Sequence, residues 1–299
     1  FTVYESLFYE MVKRAKDLSF RTASQFSFRN DLKAVDASTI ELCLSLFPWA
    51  HFRTAKGAIK LHTVLDVRSQ IPEVMIMTEG RIHDMKGARA IDFASFSPGT
   101  IFVFDRGYMD YAFLHELSKA GYHFVIRQKK NSHVFPLMQH RPPHVAGVLK
   151  DEQVCFVQGL NKYPDALRRV TYYDGETDHI YQFLTDEFRL SASNIALIYK
   201  NRWKIELFFK WIKQHLKIKT FLGTSKNAVM TQIWIAMIYY LLLAWIKFQT
   251  RFKGSLLDLT RIIGETILRR VSLIDLLHLT PKTLHNALAR ASPLQASLF

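Results

Sequence analysis

The chain has 299 residues, 49% of them hydrophobic, and carries forty Lys and Arg against twenty-six Asp and Glu, a net charge of +14. That length and apolar content suit one large domain with an insertion, or two domains, around a substantial core. The charge calls for a polyanionic partner, nucleic acid or anionic membrane, and does not choose between them. Cys43 and Cys155 stand alone, which argues against a zinc site or disulfide framework and for a reducing cytosol.

The opening residues, Phe1-Thr2-Val3-Tyr4-Glu5, lack the basic stretch and apolar run of a signal peptide. Leu7, Phe8, Met11, Val12 and Ala15 recur at helical spacing and predict a helix over 5–18. Strands follow. Residues 32–37 form a short one carrying Asp36. Ile59, Leu61, Thr63 and Leu65 alternate with Lys60, His62, Val64 and Asp66, as in a half-buried strand. Another strand is expected over 72–78. Asp84 is placed to cap a helix that starts near Met85 and stops before Ser97-Pro98-Gly99. Ile101-Phe102-Val103-Phe104 reads as a central strand covered on both faces, ended by Asp105. A helix over 111–120, a stop at Gly121 and a strand over 123–127 come next. Three strands, helix, strand, helix, strand is the order of a ribonuclease H-like sheet, an α/β fold with a mixed sheet flanked by helices.

Residues 128–185 break this pattern with Pro136, Pro142, Pro143 and Pro164 and β-like runs over 154–158, 168–173 and 179–185. They read as a β-rich insertion. Helices are expected over 191–217 and 228–248. Ile233 to Ile246 is uncharged but, at fourteen residues, falls short of the ~20 that a bilayer span needs, so it reads as a buried core helix. From Leu256 to Leu288 the tail looks helical, with Leu257, Ile262, Ile263, Ile267, Leu268 and Val271 on one stripe. The expected divisions are 1–30, the end of a helical region; 31–127 and 186–250, two parts of a core; 128–185, the insertion; and 251–299, a C-terminal helical region.

The most informative stretch is 199–213, Tyr-Lys-Asn-Arg-Trp-Lys-Ile-Glu-Leu-Phe-Phe-Lys-Trp-Ile-Lys. At about 100° per residue, Tyr199, Arg202, Glu206 and Lys213 share a stripe roughly 60° wide and about 20 Å long. One carboxylate among cations suits a site that holds a metal ion and a polyanion together. Trp203 and Trp211 are expected on the buried side. Lys200, Arg202, Lys204, Lys210, Lys213, Lys217 and Lys219 are opposed here only by Glu206. With Arg127-Gln128-Lys129-Lys130 they suggest one tract along a phosphate backbone.

The spacing Tyr199-x2-Arg202-x3-Glu206-x6-Lys213 resembles the catalytic-glutamate helix of the bacterial insertion-sequence transposases named for those four residues. Leu32-Lys33-Ala34-Val35-Asp36-Ala37-Ser38-Thr39 resembles that family's first-strand motif, and Ile101-Phe102-Val103-Phe104-Asp105-Arg106-Gly107-Tyr108 its second. The resemblance runs from about residue 30 to about residue 220. It implies an Asp-Asp-Glu triad of Asp36, Asp105 and Glu206, with both aspartates at strand ends and the β-rich insertion before the last catalytic helix. These three would be catalytic and would bind Mg²⁺, with Mn²⁺ as substitute. Two such ions about 3.5–4 Å apart can activate a hydroxyl and steady the departing oxygen of a phosphodiester. The implied reaction cleaves the ends of a mobile element and joins their 3′-hydroxyls to target DNA.

Tyr199, Arg202, Lys210, Lys213, Arg106, Arg127, Lys129 and Lys130 would contact DNA. The implied partners are double-stranded transposon ends and target DNA, with a homodimer in the synaptic complex and no membrane; the setting is the bacterial cytoplasm, at the nucleoid. Family members carry a helical end-recognition region before the first aspartate, of which 1–30 would be the remnant. Relatives that pass through a DNA hairpin stack a flipped base on a tryptophan of the insertion. None of the five tryptophans lies in 128–185, leaving Tyr163, Tyr172, Tyr173 or Phe183 for that role. Asp66 is a rival carboxylate, and His62 and His83 read as structural or surface residues. A catalytically inactive DNA-binding protein on the same fold, or a structure-selective nuclease, stays open beside the transposase.

Overall fold

A computed structural model describes residues 1–17, 26–53, 56–140, 146–215 and 221–268. The fold is mixed α/β, and the described residues build one ten-stranded sheet. β1 (Leu32–Leu42) pairs antiparallel with β3 (Lys56–Asp66), from Lys33 opposite Asp66 to Leu42 opposite Gly57. Beyond β3 lie β4 (Pro72–Glu79) and the short β2 (His51–Arg53). On its other side β1 runs parallel to β5 (Ile101–Phe104), which runs parallel to β6 (His123–Arg127). From β6 the sheet continues antiparallel through β10 (His179–Thr185), β9 (Leu167–Asp174), β8 (Val148–Phe156) and β7 (Val134–His140).

The central strands are covered on both faces, as their continuous apolar run requires. Ile101 and Val103 face one core and Phe102 and Phe104 the other, all at 0% exposure. α1 (Thr2–Asp17), α4 (Ala192–Asn201), α5 (Trp203–His215) and α6 (Lys226–Gln249) cover the first face. α2 (Asp84–Arg89) and α3 (Tyr111–Lys119) cover the second. Gly87 lets α2 lie close on β3, because a β-carbon there would fall 2.1 Å from His62 Nδ1. α6 is long and apolar enough to cross a membrane by length and composition; half of its most apolar window is buried inside the protein. There Trp234 packs on Phe8 with ring centroids 5.1 Å apart. α7 (Leu256–Thr266) follows, and the helix expected beyond residue 268 lies outside the described residues.

Several elements differ from expectation for identifiable reasons. β1 does not stop at Ala37, because Ser38 to Leu42 go on pairing with β3. Asp36 therefore sits within the strand, not at its end. It is, however, the first residue past the parallel ladder, which closes at Val35 opposite Phe104. β8 starts earlier than the run at 154–158. β7 has no alternating pattern to reveal it, since Phe135, Leu137 and Met138 are all exposed, and Pro136 marks a register shift on this edge strand. The cap of α2 is His83, whose Nδ1 accepts from the Met85 N–H at 3.2 Å. Asp84 falls instead in the first turn, where its carboxylate pairs with Lys60 at 2.9 Å.

The single helix expected over 191–217 is two, broken at Arg202, whose N–H bonds to the Tyr199 carbonyl at 3.0 Å. Asn201 explains the break: its side-chain Nδ2 donates to the Leu197 carbonyl at 2.9 Å and competes with the backbone ladder. Trp203 is consequently 56% exposed, since Ile205, Phe208, Phe209 and Ile212 form the buried side of α5. Trp211 does pack inward, 5.3 Å from the Tyr240 ring.

Candidate active site

Two of the three carboxylates lie just past the parallel ladder of β1 and β5, Asp36 within β1 and Asp105 after β5. Asp105 follows β5, and its side chain caps the short 3₁₀ turn Arg106–Tyr108 by accepting from the Gly107 N–H at 3.4 Å. Asp36 Oδ1 accepts from the Ala37 N–H at 2.8 Å, and its side chain points to the face that α5 covers. α5 is pinned to the sheet by its buried apolar residues and by Lys204, whose Nζ donates to the Val67 carbonyl at 3.0 Å. That placement brings Glu206 toward Asp36.

Arg202 joins the group. Its guanidinium lies 3.6 Å from Asp36 Oδ2 and 2.5 Å from Glu206 Oε1, with the side chain only 12% exposed. Its Nε is buried without a hydrogen-bond partner among the described residues. Burial pushes the Asp36 carboxyl up to about 6; the Ala37 N–H and Arg202 oppose this, while the charges of Asp105 and Glu206 add to it. Burial is thus the main reason that this carboxyl is raised, and the nearby guanidinium does not offset it. Tyr199 stands at the rim of this cluster, buried, its ring 4.6 Å from Phe183 and 5.5 Å from the Arg202 guanidinium. Burial pushes its phenol up to about 12, so it stays a donor at neutral pH.

Residues 28–242 match the family model for the transposase DDE domain. A putative transposase, y4zB, of Sinorhizobium fredii is 33% identical over 271 residues, which is 89% of this chain and 75% of that protein. The chain belongs to the DDE transposase family of bacterial insertion sequences. A probable transposase for insertion sequence element IS5377 of Geobacillus stearothermophilus is 27% identical, over 81% of this chain and 65% of its own. A putative transposase for element IS4SA of a Synechocystis strain is 26% identical, over 87% and 75% respectively.

The other candidate positions of the transposase are spread around this centre. Arg106 is exposed in the turn after Asp105. Arg127, at the end of β6, lies 4.7 Å over the Tyr181 ring; Lys129 is half-buried and Lys130 exposed just beyond. Lys210 is exposed on α5, and Lys213 is half-buried two turns after Glu206. Lys217 and Lys219 lie outside the described residues. Asp66 belongs to a different cluster: Lys33, 5% exposed, holds it at 2.6 Å and Glu73 at 3.0 Å. Burial works to raise the Asp66 carboxyl, but Lys33 and Ser69 win and hold it below its usual value. A metal role for Asp66 is therefore set aside. Among the aromatics considered for stacking a base, Tyr163 and Phe183 are 1% and 2% exposed and are core residues. Tyr173 is partly exposed, its hydroxyl donating to Asp178 at 3.0 Å.

The donors at the centre suit a hard divalent cation. They are all carboxylate oxygens, and Asp36 and Glu206 share the guanidinium of Arg202. Among the described residues no three His, Cys, Asp or Glu side chains stand close enough to hold one ion jointly. The motif reading missed two neighbours: Asn201, which breaks the helix, and Tyr108, whose buried hydroxyl has no partner among the described residues. Only the sequence Asp105-Arg106-Gly107-Tyr108 pointed toward the latter.

Proposed function

We propose that this transposase cleaves the ends of an insertion sequence and joins the freed 3′-hydroxyls to target DNA. Asp36, Asp105 and Glu206 form its acidic centre. The observation that supports this most is the meeting of Asp36 and Glu206 on Arg202, with Asp105 close enough for its charge to raise Asp36. The run of three long antiparallel strands with the short β2 among them, then helix, strand, helix, strand, supports a ribonuclease H-like core, with 128–185 as the insertion. Asp36 and Asp105 would hold one Mg²⁺, and Glu206 would complete a second site. When bound, the ions activate the attacking hydroxyl and neutralise charge on the departing oxygen. The protein's own groups orient DNA. Arg202 offers a planar fork that fits a phosphate bidentately once it leaves the carboxylates, and Lys213 offers a point charge. Tyr199, kept neutral by burial, donates a hydrogen bond at the rim. Synapsis of two ends by a homodimer, in the bacterial cytoplasm, belongs to the same reading.

The test is Mn²⁺ binding in the presence of duplex DNA, by titration and anomalous diffraction, on the wild type and on Asp105→Asn. Ions among Asp36, Asp105 and Glu206 that disappear in the variant are the expected result. A wild type with no ion there would instead be a DNA-binding protein without catalysis. For the phosphate tract, Lys213→Ala is expected to lower the slope of log affinity against log salt by about one. Fluorescence anisotropy over a salt series measures it; an unchanged slope would remove Lys213 from the tract.

A further inference from the structure

We propose that Tyr181 is a positioning residue for DNA: its ring holds the guanidinium of Arg127 at the end of the sheet, one strand from Asp105, where it meets a phosphate. The inference rests on the reading of Arg127 as a DNA contact.

The register of the sheet places Arg127. β5 and β6 pair in parallel up to Phe104 opposite Ile126, so Asp105 and Arg127 are the next residues on the two strands. Asp36 stands in the same relation to β5 on the other side, one residue past Val35 opposite Phe104. The three residues thus mark one level on neighbouring strands, which lie about 4.8 Å apart. Arg127 is also the direct antiparallel partner of Phe183 on β10, and such partners share a face. Here it is the face that α4 and α5 cover and to which Asp36 points.

Tyr181 lies two residues before Phe183 and therefore on the same face. Its ring is inclined only 7° to that of Phe183, with centroids 6.0 Å apart, and Phe183 is itself buried against Tyr199. On the other side His179 stacks on it at 6.3 Å. The ring is thus a shelf fixed between two neighbours, and Arg127 lies 4.7 Å over its centre. Arg202 is tied to Asp36 and Glu206. The guanidinium of Arg127, in contrast, has no carboxylate within ion-pair distance among the described residues; what it touches is the ring. A ring face attracts the charge without taking up the N–H groups, which stay available for a phosphate. An arginine that moves freely in solvent loses rotamer entropy when it settles on an anion. One already held on a fixed ring loses less, so the shelf raises affinity without touching DNA itself.

The test is a double-mutant cycle in the full chain, with Tyr181→Leu, Tyr181→Phe, Arg127→Ala and the Leu–Ala pair. Affinity for a labelled short duplex is read by fluorescence anisotropy over a salt series, without metal, so the state of the acidic centre does not enter. Arg127→Ala is expected to weaken binding and to lower the slope of log affinity against log salt by about one. Tyr181→Leu is expected to weaken binding by more than about twofold and up to about tenfold, the cost of ordering one long side chain. Tyr181→Phe keeps the ring and should stay within about twofold of wild type. In the Arg127→Ala background, Tyr181→Leu should cost less than about twofold, because the residue it positions is gone. A loss that persists there overturns the proposal, since Tyr181 then acts by packing or by its own contact with DNA. A Tyr181→Phe variant as weak as Tyr181→Leu overturns it too, since the hydroxyl and not the ring face is then at work. If Arg127→Ala binds DNA as the wild type does, the reading of Arg127 and this inference fall together. If Arg127→Ala weakens binding and Tyr181→Leu does not, only this inference falls.

Discussion

Asp105→Asn is expected to leave the protein folded and bound to DNA while lowering strand cleavage by about a thousandfold or more. Asparagine keeps the side-chain oxygen that caps Arg106–Tyr108, and Asn and Asp cap helical turns about equally well. The turn after β5 should therefore survive, and so should the core beneath it. What disappears is the negative charge that, on the proposed function, would hold a cation. A nicking assay on labelled duplex, with binding measured on the same preparation, separates the two effects. Cleavage at the wild-type rate would remove Asp105 from the chemistry and leave its role as a cap.

Asp36→Asn makes a second, independent prediction, on stability. The Asp36 carboxyl is raised from 3.8 to about 6 in the folded protein. The fold thus binds this proton more tightly than the unfolded chain does. Its favourable contribution is complete below about pH 4 and is lost as pH rises through about 6. Above that pH the ionised group costs up to about 3 kcal/mol, because each tenfold difference in proton affinity is worth about 1.4 kcal/mol. Asp36→Asn removes the cost and also gives up a weak pairing with Arg202. The metal-free variant should consequently unfold at a higher temperature than wild type at pH 7.5, with the difference vanishing near pH 4. Added Mn²⁺ should reverse the order, since only the wild type gains stability from an ion. Equal melting temperatures at pH 7.5 would mean that Asp36 is not under charge stress.

Where local pattern determined local structure, the sequence was readable. Ile101–Phe104 could be only a strand buried on both faces, and Asp105 only its end. The alternation over 58–67 located β3, although the strand is buried on both faces and not half-buried, since His62, Val64 and Asp66 are covered like Ile59 and Leu61; helical spacing across the break gave Arg202 and Glu206 a common side. Tertiary structure decided what local pattern did not. Ser38–Leu42 look like a polar exit from a strand, yet β3 runs alongside and pairs them. Pro136 and the outward Phe135, Leu137 and Met138 hide β7, because an edge strand exposed on both faces has no period to read. The break at Arg202 depends on one amide, that of Asn201, whose preference for the Leu197 carbonyl no spacing rule anticipates. Helical spacing could align Arg202 with Glu206. It could not show that the guanidinium lies between two carboxylates, because Asp36 arrives from a distant strand.

That distance along the chain bears on how the protein is made. Asp36 and Asp105 leave the ribosome on neighbouring parallel strands and can take their places early in synthesis. Glu206 emerges only after all four antiparallel strands of β7 to β10 have been translated, and Arg202 emerges just ahead of it. A nascent or prematurely terminated product would therefore lack both the third carboxylate and the cation that shields it. On the function proposed above, no complete cutting centre would form until translation has passed α5.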